Sequence, residues 1–416
     1  MFSKSWVMRS NYKKLGQFIQ QVDIRNIENR KENLLGVSTK KIFIESIANT
    51  VGTNFKKYKI VKQNQFTYVP DTSRRGNKIG IALLEHIKLG LVSQAYTVFE
   101  IIDKKQLLPE YLMMWFRRPE FDRYARYKSH GSVREIFDWE EMCEVELPVP
   151  SIEKQQEIVD EYNTITNRIK LNEQFNKKLE ETAQAIYKHW FVDFEFPNED
   201  GKPYKSSNGK MVWNEELEKD IPERWEIDKV ENYIRYNYAN FNIEDEYETI
   251  EYLDTSNITN NKIEGLHKLT IGIDKIPSRA KRKVTHNDIV YSTVRPNLKH
   301  FGIIKKPNDN MLVSTGFIVI QRKNEYVCIE LIYMWLTQKE TIDYLQSKAE
   351  MSVATYPSIK PEDILNIKTL IPKDKTKLIK FKQLLSPILN TQWKRNEDNK
   401  QLEKLRMLLL SIIAKG

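Results

Sequence analysis

The stretch Gly90-Leu-Val-Ser-Gln-Ala-Tyr-Thr-Val-Phe99 decides the fold, because the chain carries a second version of it. The second version is Met311-Leu-Val-Ser-Thr-Gly-Phe-Ile-Val-Ile320. The shared serine is Ser93 in one stretch and Ser314 in the other, so the two stretches are offset by slightly more than half the length of the chain. A repeat with this period predicts two related modules.

Three further pairs of segments match in the same order at nearly the same offset. Tyr111-Leu-Met-Met-Trp115 matches Ile332-Tyr-Met-Trp335, and Glu146-Leu-Pro-Val-Pro150 matches Thr369-Leu-Ile-Pro-Lys373. Upstream, Phe66-Thr-Tyr-Val-Pro70 corresponds to Ile289-Val-Tyr-Ser-Thr293. Because the matches are ordered and evenly offset, the duplication covers most of each half of the chain.

Each half is predicted to mix strands and helices. Leu91-Val-Ser93 and Phe317-Ile-Val-Ile320 are short β-branched runs bounded by turn residues, as is typical of strands. Pro109 stands where the first turn of a helix tolerates proline, and Leu112, Trp115 and Phe116 follow on one face. These aromatic residues are interpreted as core.

Each half ends in a heptad pattern. Apolar or small positions recur in steps of four and three from Ile158 to Trp190, and again from Phe381 to Ile413, which is typical of a helix packed along another helix. Both seams become polar in their middles, and buried polar residues fix register and partner choice. The simplest partner of each helix is the other one, while the alternative is two separate amphipathic helices on their own modules. The predicted seam residues are Ile165, Ile169, Asn172, Asn176, Leu179, Ile186, Ile388, Asn399, Leu402 and Leu409.

Composition narrows the class of protein. The 66 Lys and Arg residues outnumber the 57 acids, giving a net charge of +9 and a pI near 9.1, which suits a polyanionic partner. Cys143 and Cys328 are far apart and have no nearby histidine cluster, which argues against a disulfide framework and a zinc site and fits a reducing cytosol. No apolar run predicts a signal peptide or a membrane span, so we expect a soluble cytoplasmic protein.

Basic loops occupy comparable places in the two halves and are candidates for contacting DNA. Arginine can pair with guanine and asparagine with adenine, whereas lysine mostly binds phosphate. Two modules with different loops would read two different half-sites of one duplex. The alternative for each basic residue alone is a solvated surface charge. The candidates are Ser73, Arg74, Arg75, Asn77, Lys78, His130, Ser132, Arg134, Arg279, Lys281, Arg282, Lys283, Arg295, Asn297, Lys299 and Ser352.

One run of residues resembles a known family. Leu147-Pro-Val-Pro-Ser-Ile-Glu-Lys-Gln-Gln-Glu-Ile158, followed by a long helix ending in Ala185-Ile-Tyr-Lys-His-Trp-Phe191, resembles the specificity subunits of type I restriction–modification systems. The match is weaker in the second helix, where Lys380-Phe-Lys-Gln383 replaces the Gln-Gln-Glu. In the second module the match is mainly architectural.

The resemblance implies an α+β chain in which two mixed α/β target-recognition domains are separated by two long antiparallel helices forming a coiled coil. The predicted boundaries are 1–150 for the first recognition domain, 151–192 for the first long helix, 193–221 for a polar connecting loop, 222–372 for the second recognition domain and 373–416 for the second long helix.

The resemblance also implies partners. Such subunits bind a bipartite double-stranded DNA target, and their helices recruit two modification subunits that methylate adenine with S-adenosylmethionine. Two restriction subunits add ATP-driven translocation and Mg-dependent cleavage. This chain would supply no catalytic or metal-binding residue of its own.

The sequence contains no Gly-x-x-x-x-Gly-Lys-Ser/Thr phosphate loop and no Asn-Pro-Pro-aromatic tetrapeptide. One alternative is a self-contained Mg-dependent endonuclease, because Pro70-Asp71 and Asp103-Lys104-Lys105 formally fit a nuclease signature. The preferred interpretation makes the first a turn that opens a basic loop and the second a surface turn after a strand. A third hypothesis is an interaction protein whose helix pair docks a different protein.

Overall fold

The computed structural model describes residues 11–46, 52–73, 76, 78–131, 135–352 and 357–415. The chain divides into two compact units. The first lies within residues 1–170 and 400–416, and the second comprises residues 171–399. Both contain strands and helices, as the sequence predicts.

The first unit contains ten strands and three short helices among its described residues. The strands are β1 (Tyr12–Lys14), β2 (Ile19–Val22), β3 (Leu35–Val37), β4 (Phe43–Glu45), β5 (Lys59–Lys62), β6 (Phe66–Tyr68), β7 (Ile81–Leu83), β8 (Leu89–Val92), β9 (Thr97–Ile101) and β10 (Glu146–Pro148). The helices are α1 (Pro109–Phe116), α2 (Pro119–Tyr127) and α3 (Trp139–Cys143). A long helix, α4 (Ile152–Tyr187), begins in this unit and ends in the other, and a π-turn over Lys188–Val192 follows it.

The core of the first unit lies between a four-stranded antiparallel sheet and α1. The strand order is β2-β9-β6-β7. Phe66 and Phe99 stack across the sheet with ring centroids 4.8 Å apart, and the ring of Phe116 from α1 meets both edge-on. Pro109 is the first residue of α1, where its missing N–H leaves no hydrogen bond unmade.

The second unit contains fourteen strands and four helices among its described residues. The strands are β11 (Met211–Asn214), β12 (Lys219–Pro222), β13 (Trp225–Lys229), β14 (Ile234–Tyr236), β15 (Thr249–Leu253), β16 (Ile258–Thr259), β17 (Lys262–Ile263), β18 (His267–Thr270), β19 (Ala280–Lys283), β20 (Ile289–Ser292), β21 (Phe301–Ile303), β22 (Met311–Ser314), β23 (Phe317–Arg322) and β24 (Lys368–Pro372). The helices are α5 (Ile329–Thr337), α6 (Lys339–Ser352), α7 (Pro361–Leu365) and α8 (Lys375–Ile412), of which α8 ends in the first unit.

The sheet of the first unit recurs in the second. The order β14-β23-β20-β21 corresponds strand for strand to β2-β9-β6-β7, and β13 pairs with β24 as β1 pairs with β10. This repetition confirms the duplication predicted from the sequence. The second unit has a further four-stranded sheet, β18-β15-β22-β19, in which β15 and β22 run parallel.

The segment 193–221 differs from the polar connecting loop that the sequence predicts. It contains β11 and most of β12, which form an antiparallel hairpin. Phe194, Phe196 and Ile221 from this segment are buried in the core of the second unit, and Phe196 stacks on Trp225 with centroids 5.1 Å apart. In the sequence, the turn-forming residues between 197 and 209 outnumber these few apolar side chains, and for this reason the segment is predicted to be a polar loop. The segment belongs to the packed body of the second unit.

Cys143 and Cys328 are free thiols. Burial raises the pKa of the Cys328 thiol to about 12. No helix in the part of the chain that the structure describes is both long and apolar enough to cross a membrane.

Candidate nucleic-acid interface

Two of the predicted DNA-contacting loops of the first unit lie side by side. Thr72, on the loop after β6, donates its hydroxyl to Ser129 Oγ at 2.8 Å, and its backbone N–H donates to the Glu135 carbonyl at 3.0 Å. Asp71 and Ile136 form an isolated antiparallel bridge. The fold therefore joins the loops near positions 72 and 130 into one surface, although they are far apart in sequence.

Three of the predicted contact residues in this surface belong to the described part of the chain. Ser73, Lys78 and His130 are exposed. Ser73 donates its hydroxyl to Asp71 Oδ1 at 2.7 Å, so this hydroxyl already has a partner within the loop. The other candidates in these two loops lie outside the described residues: Arg74, Arg75, Asn77, Ser132 and Arg134.

The second unit joins the equivalent loops in the same way. Val294 and Ser358 form an isolated bridge, the counterpart of Asp71 and Ile136. The N–H of Arg295 donates to the Pro357 carbonyl at 3.1 Å. Residues 353–356 and the side chain of Ser352 lie outside the described part.

In the second unit, three of the predicted contact residues lie in or next to one 3-10 turn, Pro296–Leu298. Arg295 and Lys299 flank the turn in the left-handed region, with φ of 47° and 58°, a conformation that costs free energy for residues other than glycine. Arg295, Asn297 and Lys299 are all exposed. The Asn297 N–H donates to Gln346 Oε1 of α6 at 3.2 Å, which ties the turn to that helix.

Arg282 and Lys283 do not fit the predicted role. The Arg282 guanidinium donates to Asn237 Oδ1 and to the Phe317 carbonyl, and burial lowers its pKa. The Lys283 ammonium forms an ion pair with Asp245, whose hydrogen bond raises the pKa of Lys283. Groups of the protein therefore bind both cations, and the proposed set of DNA contacts does not include them. Of the four basic candidates around β19, Arg279 and Lys281 remain exposed.

Two large apolar residues that the sequence analysis did not single out stand beside the joined loops. Tyr127 is the last residue of α2, and Met351 is the penultimate residue of α6. The relative exposure of each is 81%. They are not a matched pair of the repeat, because α2 and α6 begin at Pro119 and Lys339 and Met351 lies further along its helix than Tyr127.

The two carboxylates of the endonuclease alternative lie at opposite ends of a sheet. Strands β6 and β9 are antiparallel, with Tyr68 opposite Thr97. Asp71 follows β6 at that end of the sheet. Asp103 lies six residues beyond Thr97, toward the other end. At about 3.4 Å per residue, Thr97 and Asp103 are about 20 Å apart along the strand. The N–H of Lys105 and the side chain of Gln106 hydrogen-bond to Asp103 and lower its pKa, as in a surface turn.

No group of three or more His, Cys, Asp or Glu side chains that could hold a metal ion occurs among the residues that the structure describes. The nuclease alternative therefore has no geometric support, since a cation needs converging carboxylates.

Within the second unit, α4 and α8 pack against each other through polar side chains. Asn172 Nδ2 donates to Asn399 Oδ1 at 2.8 Å, and Asn176 Nδ2 donates to Asn396 Oδ1 at 2.7 Å. Gln392 Nε2 donates to the Asn176 carbonyl at 3.0 Å. Residue numbers increase along α4 while those of the contacted residues decrease along α8, so the two helices are antiparallel. This arrangement contradicts the alternative of two separate amphipathic helices.

Other positions of the two heptad patterns lie in the apolar cores of the units. In the second unit, one apolar core contains Ala183 of α4, Trp190 of the π-turn that follows α4, and Phe381, Leu385 and Leu389 of α8. In the first unit, the start of α4 and the end of α8 contribute to the core of that unit. Every predicted seam residue is buried or half-buried: Ile165, Ile169, Asn172, Asn176, Leu179, Ile186, Ile388, Asn399, Leu402 and Leu409.

A family model described as the type I restriction modification DNA specificity domain matches residues 11–181. These residues include the joined basic loops of the first unit and most of α4. This part of the chain is therefore similar to the DNA specificity domains of that family model.

Two curated relatives are similar to part of the chain. The specificity subunit of the type I restriction enzyme MjaIX of Methanocaldococcus jannaschii is 34% identical over 130 residues, which is 31% of this chain and 28% of that protein. The specificity subunit of the type I restriction enzyme HindI of Haemophilus influenzae is 30% identical over 151 residues, 35% of this chain and 32% of that protein. The chain is similar to these specificity subunits over alignments that span about a third of each relative or less.

In fold, the chain is similar to a solved structure over nearly its whole length. The crystal structure of the S subunit of a type I restriction–modification system from M. genitalium superposes with a TM-score of 0.56 at 12% identity. The superposition covers 97% of this chain and 95% of that one. The predicted fold class, two α+β modules with two long antiparallel helices, is thereby confirmed.

Proposed function

We propose that this chain is the DNA sequence-specificity subunit of a type I restriction–modification complex and reads a bipartite, asymmetric target. The observation that carries the proposal is the repetition within the units. Each has the same four-strand order, and in each the loop after the third strand of that order, β6 or β20, is bonded to the loop after a helix. Each unit would read one half of the target.

The chemistry of the candidate residues supports DNA as the ligand. Lys78 and His130 are exposed in the first unit, and Arg295 and Lys299 in the second. Cations on loops bind phosphate and position the protein, while arginine and asparagine side chains can also reach base edges. Ser73, Arg279, Lys281 and Asn297 complete the described set of exposed candidates.

The partners follow from the same proposal. Two methyltransferase subunits would dock on the helices and use S-adenosylmethionine, and two restriction subunits would use ATP and Mg. The chain itself would be non-catalytic and would work in the cytoplasm. The proposed division is 1–150 and 222–372 for recognition, with 151–192 and 373–416 for docking.

Sequencing of methylated bases in cells tests the proposal. We expect co-expression of this chain with its methyltransferase to yield adenine methylation in two short fixed blocks around an unread spacer. Methylation without the chain should be absent. A methylation pattern that is the same with and without this chain would contradict the proposal. Recovery of the chain without any methyltransferase after co-expression would contradict it as well.

The endonuclease alternative is tested with the purified chain, plasmid DNA and magnesium. We expect the plasmid to stay intact. Cutting that disappears in the variant Asp71→Asn/Asp103→Asn would instead favour the alternative.

A further inference from the structure

The hairpin of β16 and β17 is an addition that the second unit makes to the duplicated fold. In both units an antiparallel strand pair, β3–β4 or β15–β18, lies beside a parallel neighbour, β8 or β22. The first unit connects β3 to β4 through residues 38–42, which the structure describes and which contain no strand. The second unit connects β15 to β18 through residues 254–266, and this longer connection contains the hairpin.

The hairpin has a tight turn and an anchored base. Thr259 pairs with Lys262, so only Asn260 and Asn261 form the turn. Their φ angles of 45° and 64° lie in the left-handed region, which asparagine tolerates and a two-residue hairpin turn requires. Ile258 is 1% exposed and belongs to an apolar core of the second unit. The hairpin is therefore part of the packed body of that unit.

The turn of the hairpin is bonded to the candidate DNA-contacting turn of the second unit. The Asn260 N–H donates to the Lys299 carbonyl at 3.0 Å, and the Asn261 N–H donates to the Phe301 carbonyl at 2.9 Å. Asn261 Oδ1 in turn accepts from the Ile303 N–H at 2.8 Å. Because Lys299 ends the 3-10 turn and is exposed, the hairpin holds the backbone of a proposed DNA contact.

The same hairpin contacts both long helices within the second unit. Lys262 Nζ donates to Glu173 Oε1 of α4 at 2.6 Å. Asn396 Nδ2 of α8 donates to the Asn261 carbonyl at 3.4 Å, which is a long hydrogen bond. The hairpin therefore connects α4 and α8 to the turn that carries Lys299.

The ion pair of the hairpin contributes little to the stability of the fold. The side chains of Lys262 and Glu173 are each 48% exposed, and exposed ion pairs are weak. A neighbouring contact lies at the same junction, where Lys306 Nζ is 5.2 Å from the ring centroid of Trp393 in α8. Charge changes at the ion pair should therefore alter the position of the turn without unfolding the unit.

We propose, on the basis of the proposed function, that the hairpin fixes the DNA-contacting turn of the second unit against the two long helices. Lys262 and Glu173 are positioning residues in this arrangement. Both helices extend into the first unit, so a turn held against them contributes to the number of base pairs between the two blocks of the target. The hairpin thus restricts the spacer lengths that the chain accepts.

The test measures binding of the methyltransferase complex to the target that methylome sequencing identifies, and to versions with a spacer one base pair longer or shorter. The quantity compared is the ratio of the affinity for the native spacer to that for each altered spacer. We expect Glu173→Lys and Lys262→Glu each to lower this ratio about fivefold, because like charges replace an exposed ion pair. Glu173→Lys/Lys262→Glu should restore the ratio.

Glu173→Lys also separates positioning from direct DNA contact. If Lys262 bound phosphate instead, the added cation of Glu173→Lys would strengthen binding to every duplex and leave the ratio unchanged. Lys262→Glu would then flatten the slope of log affinity against log salt, and the charge exchange would restore nothing. These results would overturn the inference.

Glu181→Lys is the matched control, because it makes the same charge change on α4 at an exposed ion pair with Lys178 that lies within the helix. We expect the wild-type ratio for this variant, and wild-type unfolding in denaturant for all four variants. A wild-type ratio in both single test variants would overturn the inference, as would an equal fall in the control. Failure of the wild-type complex to select any duplex would instead overturn the proposed function.

Discussion

At the scale of the residue, the polar side chains in the helix pair decide how α4 and α8 meet. Asn172 is 1% exposed and Asn399 is 6% exposed, and each is hydrogen-bonded to the other. Asn172 Oδ1 also accepts from Arg395 at 3.0 Å. A shift of register would bury these groups without partners, at about 1–3 kcal/mol for each neutral group. The polar pair therefore selects one register.

Asn399→Leu tests this pair. We expect the free energy of unfolding to fall by about 1–3 kcal/mol, because the Asn172 amide loses its acceptor while staying buried. Asn172→Leu/Asn399→Leu should recover part of that loss, since apolar replacement of both partners can be nearly neutral. Denaturant unfolding measures both, with the exposed Thr182→Ala as control. A single variant as stable as the wild type would show that the pair does not set the register.

Arg74 and Arg75 remain predictions, because they lie outside the described residues. The variant Arg74→Gln/Arg75→Gln should weaken binding to every duplex by a similar factor. The slope of log affinity against log salt should fall by about one for each phosphate that the two side chains neutralise. Titration of binding against salt concentration measures this, and an unchanged slope would remove these two residues from the set of contacts.

At the scale of the element, the start of α8 depends on one carboxylate. Asp374 immediately precedes the helix and accepts from the Thr376 N–H at 2.9 Å and the Thr376 hydroxyl at 2.7 Å. It also pairs with Lys377 at 3.0 Å. The Thr376 hydroxyl and Lys377 lower the pKa of Asp374 from 3.8 to about 2. The ionised form therefore stabilises the first turn of α8.

Asp374→Ala should lower the free energy of unfolding by about 1 kcal/mol at neutral pH. Because the folded pKa lies below the unfolded one, the contribution is complete above about pH 4 and is lost as the pH falls through about 2. The difference between variant and wild type should shrink over that range. Unfolding measured at several pH values checks this, with the exposed Asp398→Ala in the same helix as control. A constant difference would mean that the charge is not responsible.

At the scale of the whole molecule, duplication accounts for the organisation of the chain. Two units with one strand order differ in their loops and in the hairpin β11–β12. The shared sheet supports the loops, and the loops are free to vary because they contribute little to the core. Under the proposed function, this division would allow each unit to recognise a different sequence.

Exchange of residues 11–145 for the corresponding segment of another specificity subunit should change one block of the methylated target and leave the other as it was. The reason is that each unit has its own core and its own joined loops. Methylome sequencing of the exchanged protein measures this, with the unexchanged chain as control. A change in both blocks would show that the exchanged unit does not determine one block alone.

The sequence by itself determined the duplication, the strands around Ser93 and Ser314, the helix at Pro109 and the heptads of α4 and α8. These features depend on periodicity and on turn chemistry, which are local properties that short stretches carry in full. The basic loops were predicted as sets, but the hydrogen bonds that join them across a long interval of sequence were not.

Only the tertiary structure decided which basic side chains are exposed and which are bound by other groups of the protein. Arg282 and Lys283 look like Arg279 and Lys281 in sequence, yet Asn237, Phe317 and Asp245 bind the first pair and leave the second exposed. The burial of Phe196 in a turn-rich segment and the exposure of Tyr127 beside a basic loop have the same origin. Each depends on which distant residues the fold brings near, and that is a property of the packed chain rather than of any short stretch.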